Sequence, residues 1–375
     1  MKVGILTHPL ENNYGGLLQA YALQTVIRRM GHDVYTIDRH NKEKRSPLPR
    51  HILGFLKRCY KRHLLHNPRI STCWNAYLTL EDKKVLGQHM WPFVVRNMKI
   101  TDQVWSHELK KIDEKYQFDA YIVGSDQVWL PNYSLDSFLD FVKREGVIKC
   151  SYAASGSCTS WSPALIKKCR SLAQSFKGLS VREKDLIDFC YKDLGCTAQH
   201  VLDPTLLLDK DDYLSAINKN ENNEPVIFSY VLDKTQEKED IINRVSCHFK
   251  MPVAWVNAKK TYYKRNDINI NDCIFPSVDE WINNLNNATF VVTDSFHGMA
   301  MSIVFKKPFV VIGNKNRGIS RFKSLLGSLG LEERLINNID EFTEKLLSPI
   351  DYCKVYSIIE SKRKESIIFL HRMLD

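Results

Sequence analysis

Paired cysteines, long apolar runs and nucleotide-binding fingerprints are all missing from this chain, and each absence narrows its possible roles. Ten cysteines are scattered without one CxxC pair. The closest two, Cys190 and Cys196, have the wrong spacing for a zinc knuckle, so they read as reduced, mostly buried thiols. No stretch approaches the roughly 20 apolar residues of a membrane-spanning helix. The opening MKVGILTHPL holds too short an apolar run for a signal peptide, so a cytoplasmic protein is expected. Neither a GxGxxG fingerprint nor a Walker lysine pattern follows the first strand, which argues against nicotinamide-dependent and nucleotide-hydrolysing activities. Acid is scarce in one region: between Arg39 and Arg69, ten Lys/Arg face one acid, Glu43, and that +9 is nearly the whole formal charge of +10.

What is present is ordinary for a globular protein. With 375 residues, 44% hydrophobic and 26% charged, the expectation is two domains. The basic stretch carries Leu53, Phe55, Leu56, Tyr60, Leu64 and Leu65, a pattern that fits a basic amphipathic helix. Such a helix can lie on an anionic membrane surface or receive a phosphorylated or acidic-sugar substrate; a solvated insertion is equally compatible. No other motif points to nucleic acid, so a nucleic-acid partner is not expected.

Along the chain, strands and helices alternate. Lys2 to Thr7 reads as a strand, His8 to Gly16 as a turn, Leu17 to Met30 as a helix closed by Gly31, and His32 to Ile37 as a second strand. A helical region follows over Thr72 to Arg96. Further strands are predicted at Phe118 to Val123, running into the loop Gly124-Ser125-Asp126-Gln127-Val128-Trp129, at Lys149 to Ala154 and at Gly178 to Val181. Residues 1–217 form the predicted first domain, with the basic insertion at 39–69. After the linker-like NKNENNE, residues 225–345 repeat the alternation, and 350–375 form an amphipathic helix. The predicted fold is α/β, two doubly wound Rossmann-like domains facing a cleft in the glycosyltransferase B manner, with a C-terminal bridging helix.

The candidate site centres on ATFVVTDSFHGMAMSIVFKKPFVVIG, residues 288–313, read as strand, polar turn, helix from Met299 and strand. Asp294, Ser295 and His297 would sit beyond the strand's carboxyl end, where a helix N-terminus favours an anion. Gly298 would allow close backbone approach, and imidazole is the one group there suited to moving a proton near neutral pH. The same residues also fit a capped helix start whose histidine merely packs. On the first domain, Asn13, Tyr14 and Gly15 either line the cleft or serve turn chemistry. Asp126 and Gln127 could bond acceptor hydroxyls, and Trp129 could stack on a sugar or be core. Asp203, beside Pro204, reads as a turn and cap residue rather than a catalyst.

NNYGGLLQAYAL, FDAYIVGSDQVW, SYAAS, SVREK, VLDPTLLL and TDSFHGMAMSIVFKKPFVVI, in this order, resemble the polysaccharide pyruvyl transferase family over most of the chain outside the basic stretch. The resemblance implies transfer of the enolpyruvyl unit of phosphoenolpyruvate to sugar hydroxyls, forming a ketal and releasing phosphate. It implies no metal and no resident cofactor, phosphoenolpyruvate being a co-substrate, and a saccharide acceptor, lipid-linked in one variant. Many members carry Arg-Leu-His where this chain has Ser295, Phe296 and His297. The histidine is kept and the arginine is absent. Arg182, in the SxRE block, becomes the first candidate for donor phosphate, with Ser295 and Gly298 beside it. Arg317 and Arg321 could supply the missing cation or be solvated loop residues. A nucleotide-sugar glycosyltransferase of similar fold and a non-catalytic subunit at a membrane surface remain competing readings.

Overall fold

The computed structural model describes residues 1–40, 48–66, 70, 78–130, 135–156, 161–220, 224–259, 262, 269–313 and 318–375. Thirteen strands are found among them: β1 (Lys2–Leu6), β2 (Asp33–Thr36), β3 (Arg39–His40), β4 (Val104–Trp105), β5 (Ala120–Trp129), β6 (Ile148–Gly156), β7 (Leu179–Val181), β8 (Ala198–His200), β9 (Val226–Tyr230), β10 (Val253–Trp255), β11 (Ala288–Thr293), β12 (Phe309–Ile312) and β13 (Leu335–Ile336). The first sheet runs in the order β2-β1-β5-β6-β7-β8, the second in the order β10-β9-β11-β12-β13, and β3 pairs only with β4. Every paired strand is parallel. Parallel sheets need both faces covered, which is why KVGIL, YIVG and FVVT carry near-continuous apolar runs instead of alternating ones.

In each sheet the chain winds one way and then reverses. The reversal lies between β1 and β5 in the first sheet and between β9 and β11 in the second. Loops leaving the carboxyl ends at such a point diverge and open a crevice. His8 follows β1 and Asp126 lies in β5 beyond its pairing with β1 at the first reversal, and Asp294 to His297 follow the strand at the second.

Two helices are buried all round. In the helix Tyr14–Arg29 every residue from Tyr14 to Ile27 is buried, and in the helix Phe296–Val304 all nine are. A helix buried on all faces must lie between two layers, and these two meet each other between the sheets. Asn13 caps the first, its Oδ1 accepting from Gly16 N at 3.1 Å, and Ser295 caps the second through Gly298 N at 3.4 Å. Each such cap is worth about 1 kcal/mol. Both helices begin earlier than periodicity alone suggests, because the polar residues at their starts are caps and first-turn residues, not loop. Gly15, Gly16, His297 and Gly298 are therefore helical. Likewise β5 does not stop at Val123: it continues to Trp129 with a register shift after Asp126.

The helix Tyr352–Leu374 spans both sheets' layers. Near its start the Tyr352 hydroxyl donates to Lys307 O at 2.5 Å and Tyr356 to Val304 O at 3.0 Å, in the second layer. Farther on, Arg363 donates to Leu206 O and Leu208 O, and Ser366 Oγ accepts from Leu202 N, in the first. Gly178 lies against Met373, where an added Cβ would meet the sulfur at 2.5 Å.

The predicted helical region at 72–96 resolves into Leu80–Leu86 and Trp91–Asn97, residues 72–77 lying outside the described set. Within the basic stretch, Leu48–His63 is a helix. Among the described residues no helix is long and apolar enough to cross a membrane, and Cys59, Cys150, Cys169, Cys196, Cys247 and Cys353 form no disulfide.

Candidate active site

The carboxyl ends of the two sheets converge on one buried carboxylate, Asp203. It lies just past β8 and starts a short helical turn, Pro204–Leu207, by accepting from Thr205 N at 3.0 Å and Thr205 Oγ1 at 2.6 Å. The capping role expected from the Asp-Pro pair is therefore present. Its other oxygen does more. Oδ2 accepts from Ser125 Oγ at 2.9 Å and from Arg182 Nη1 at 2.7 Å, and stands 3.7 Å from His297 Nε2. That last distance is too long for a hydrogen bond and short enough for strong charge coupling in a dry site. Burial pushes the Asp203 carboxyl up, but its coupling to His297, the charge of Arg182 and the Thr205 hydroxyl outweigh it and hold the group well below the ordinary carboxylate range.

Arg182 is surrounded by carboxylates. Nε donates to Glu183 Oε1 at 3.1 Å, Nη1 to Asp203, and Nη2 is 3.8 Å from Asp126 Oδ1. Nη2 itself has no hydrogen-bond partner, and neither has His297 Nε2, although both are buried. Such groups cost about 1–3 kcal/mol each when left unmade, and in a native protein they point to an acceptor supplied from outside. Burial pushes Glu183 up, and Arg182 with the Ser155 hydroxyl, bonded at 2.8 Å, offsets this only in part.

Asp126 reaches the cluster through an unusual backbone. Its φ is +69°, a left-handed conformation costing an Asp about 1 kcal/mol or more and held here by the flanking β5–β6 ladder. Burial pushes its carboxyl up, yet the charges of His8, His297, Arg182 and Arg321 hold it at about 2. His8, at the end of β1, is pushed down by burial, which the Asp126 charge and a backbone bond to Gln127 offset only in part. Gln127, expected from sequence, thus flanks His8, which was not singled out. A lone histidine after a strand carries no spacing signal.

The second domain contributes the helix start. Gly15 is pressed against it: a Cβ there would lie 2.1 Å from His297 Nδ1. The preceding residue, Phe296, stacks under the Arg182 guanidinium at 4.1 Å, and Arg321 approaches the same ring at 5.9 Å. Arg321 is 8% exposed, in the helix Ser320–Leu329, so it belongs to this cluster and not to solvent. Arg317 lies outside the described residues.

Other expected residues sit elsewhere. Tyr14 is 1% exposed, donates to Pro276 O at 2.7 Å and stacks on Trp281, so it locks the first helix onto the second domain and has no face toward a sugar. Trp129 is fully buried, stacked on Phe138 with Nε1 donating to Ser137 O, and is core for the same reason. Asn13 is spent as a cap. Gly298 packs on the preceding strand, where a Cβ would strike Thr293 Oγ1 at 2.3 Å, so its small size serves helix-sheet packing. Asp294 is held by Lys238 at 2.6 Å and by the amides of Leu232 and Asp233, which fills the reversal of the second sheet with an internal ion pair. Two cavities of about 410 and 540 Å³ flank Asp279 and are lined by neither His297 nor Arg182.

A profile of the family described as polysaccharide pyruvyl transferase matches residues 13–316. No curated protein matches the chain. Among solved structures, UDP-N-acetylglucosamine 2-epimerase from Rickettsia bellii is 10% identical with a TM-score of 0.50, covering 99% of this chain and 97% of its own. The putative UDP-N-acetylglucosamine 2-epimerase of Listeria monocytogenes, 10% identical, gives 0.49 over 97% and 90%. The glycotransferase of kitacinnamycin, 10% identical, gives 0.49 over 100% and 99%. At 10% identity the likeness to the Rickettsia bellii enzyme is one of fold alone, and the two doubly wound parallel sheets are the glycosyltransferase B-like architecture expected.

Proposed function

Because the chain belongs to the polysaccharide pyruvyl transferase family and is therefore a transferase, we propose that it moves the enolpyruvyl group of phosphoenolpyruvate onto sugar hydroxyls of a cell-surface polysaccharide or its lipid-linked precursor. The observation that carries the reading is the meeting of His297 and Arg182 on one carboxylate, Asp203, each with an unpartnered buried nitrogen. Two helix N-termini, at Asn13 and Ser295, add partial positive charge where a trianionic donor would sit.

In this reading the methylene carbon of the donor takes up a proton, and the oxocarbenium-like carbon is attacked by the first hydroxyl. Phosphate leaves with the electrons of its C–O bond, and the second hydroxyl closes the ketal. The two hydroxyls give up a proton each, one balancing that gained by carbon and one leaving with phosphate or solvent. His297 is the proton carrier, oriented by Asp203 on one side and Gly15 on the other. Arg182 Nη2 holds the donor's phosphate or carboxylate, and Arg321, near the same Phe296 ring, replaces the cation that the family carries at the position of Ser295. Asp126 and Gln127 face the acceptor from the first domain.

His297→Ala should lower kcat by about 10²- to 10⁴-fold with an unchanged melting curve; near-full activity would remove His297 from the mechanism. Donor identity is read by thermal shift, since a ligand at about 100 times its Kd adds roughly 2.7 kcal/mol. Stabilisation by phosphoenolpyruvate and not by nucleotide sugars is expected, and the reverse would overturn the assignment in favour of a glycosyltransferase.

A further inference from the structure

The helix Leu48–His63 is amphipathic with its apolar side turned outward. Ile52, Leu53, Leu56, Tyr60, Leu64 and Leu65 are 42%, 69%, 57%, 53%, 66% and 59% exposed. They are six of the thirteen large hydrophobic residues exposed among the described residues, so the exposure is concentrated here and not scattered as on an ordinary surface. Leu53, Leu56, Tyr60 and Leu64 follow at intervals of three, four and four residues, which is one stripe of an α-helix. Gly54, Phe55, Arg58, Cys59 and Arg62 are half-buried on the opposite side, where Arg62 Nη1 donates to Ile70 O at 3.0 Å. Lys57 and Lys61 are exposed along one border of the stripe. No Asp or Glu occurs from Lys44 to Leu80.

An apolar stripe in water is unfavourable by about 25 cal/mol for each Å², and the basic border adds self-repulsion. One environment relieves both: a bilayer interface with anionic headgroups, which takes the stripe into its acyl boundary and the lysines at its surface. The placement agrees. The segment leaves the fold after His40, beside the loop that enters the first helix, and returns to it at the helix Leu80–Leu86, whose Lys83 pairs with Glu11 of that loop at 2.8 Å.

We propose that residues 48–65 dock this protein on an anionic lipid surface, with Leu53, Leu56, Tyr60 and Leu64 entering the interface and Lys57 and Lys61 meeting headgroups. This deepens the lipid-linked part of the reading above, and vesicle binding is measured without turnover, so either can fail alone.

The test is co-sedimentation of the full chain with vesicles of phosphatidylcholine alone and of phosphatidylcholine mixed with phosphatidylglycerol, across a salt series. Binding to the mixed vesicles, lost as salt rises, is expected. Lys57→Ala and Lys61→Ala should each weaken it about fivefold, and Leu53→Ser with Leu56→Ser about tenfold or more. All four residues are exposed, so melting curves should not move, and turnover of a water-soluble acceptor should stay at the parent rate. Equal binding to neutral vesicles, no binding at all, or binding unaffected by these variants overturns the proposal. So does self-association of the parent protein that Leu53→Ser with Leu56→Ser abolishes, because the stripe would then belong to a second copy.

Discussion

Replacing Gly15 with alanine tests whether the first domain positions the imidazole of the second. The new Cβ would lie 2.1 Å from Nδ1, 2.4 Å from Cγ and 2.7 Å from Cβ of His297, whereas ordinary contact begins near 3.4 Å. The difference between 3.4 and 2.1 requires a movement of about 1.3 Å. The atom at 2.7 Å is the imidazole's own Cβ, so rotating the ring does not clear the clash. Either the two buried helices separate or His297 leaves Asp203. Overpacking of this kind costs about 1–3 kcal/mol of stability, and a misplacement near 1 Å costs on the order of 10²-fold in rate. The assay is kcat and KM for phosphoenolpyruvate beside the melting temperature. A fall in kcat of about 10²-fold, with donor KM changed far less, is expected. Parent-level kcat with a lowered melting temperature would refute the reasoning, since it would mean that the helices yield while the imidazole's position is immaterial.

Asp203→Asn removes the charge shared by Arg182 and His297, so it should lower stability by about 3 kcal/mol and kcat with it; a kcat loss that disappears when stability is restored by a tight ligand would assign Asp203 to folding alone. Lys238→Met leaves Asp294 buried on two amides and should cost about 3–5 kcal/mol while leaving donor KM unchanged; a raised KM would return Asp294 to the binding site. His40 gives a pH dependence. Burial pushes its imidazole down, but the carboxylates of Asp38 and Glu11, 3.2 and 3.6 Å away, outweigh this and lift it to about 9 from 6.5. A raised histidine contributes fully below the unfolded value and is lost as pH rises through the folded one. Stability should therefore fall by up to about 3 kcal/mol between pH 6.5 and 9, and His40→Gln should flatten that slope in urea titrations.

How far the sequence alone carried can be judged from particular residues. Strand positions and the winding of both sheets were legible because parallel strands are written as continuous apolar runs between polar loops. The bridging helix was legible from its apolar positions. Helix starts were read late at Leu17 and Met299, because a polar or glycine-rich first turn looks like loop until the cap partner is seen. Tyr14 and Trp129 sit in motifs that invite a role in binding, but their rings point into aromatic clusters, and which way a side chain points at a strand end depends on a register shift that periodicity does not encode. Asp203 was legible as a cap and not as the hub of the charge cluster, since its partners come from positions 125, 182 and 297, far apart in the chain. His8 and the outward-facing stripe at Leu53 and Leu56 share that difficulty: composition marks the residues, and only the packing decides which side they present.

The helix Tyr352–Leu374 also bears on the order in which this protein can be made. Met373 lies under Gly178, and Lys177 donates to the Met373 carbonyl across 196 positions; Arg363 closes on Leu206 across 157. The sheet that emerges first from the ribosome therefore keeps one face open until residues synthesised long after it have arrived. That face cannot be covered before the second sheet has been synthesised. A newly made chain would pass through a long interval with apolar surface uncovered, so the yield of active protein should depend on chaperone supply and synthesis rate more steeply than its final stability suggests.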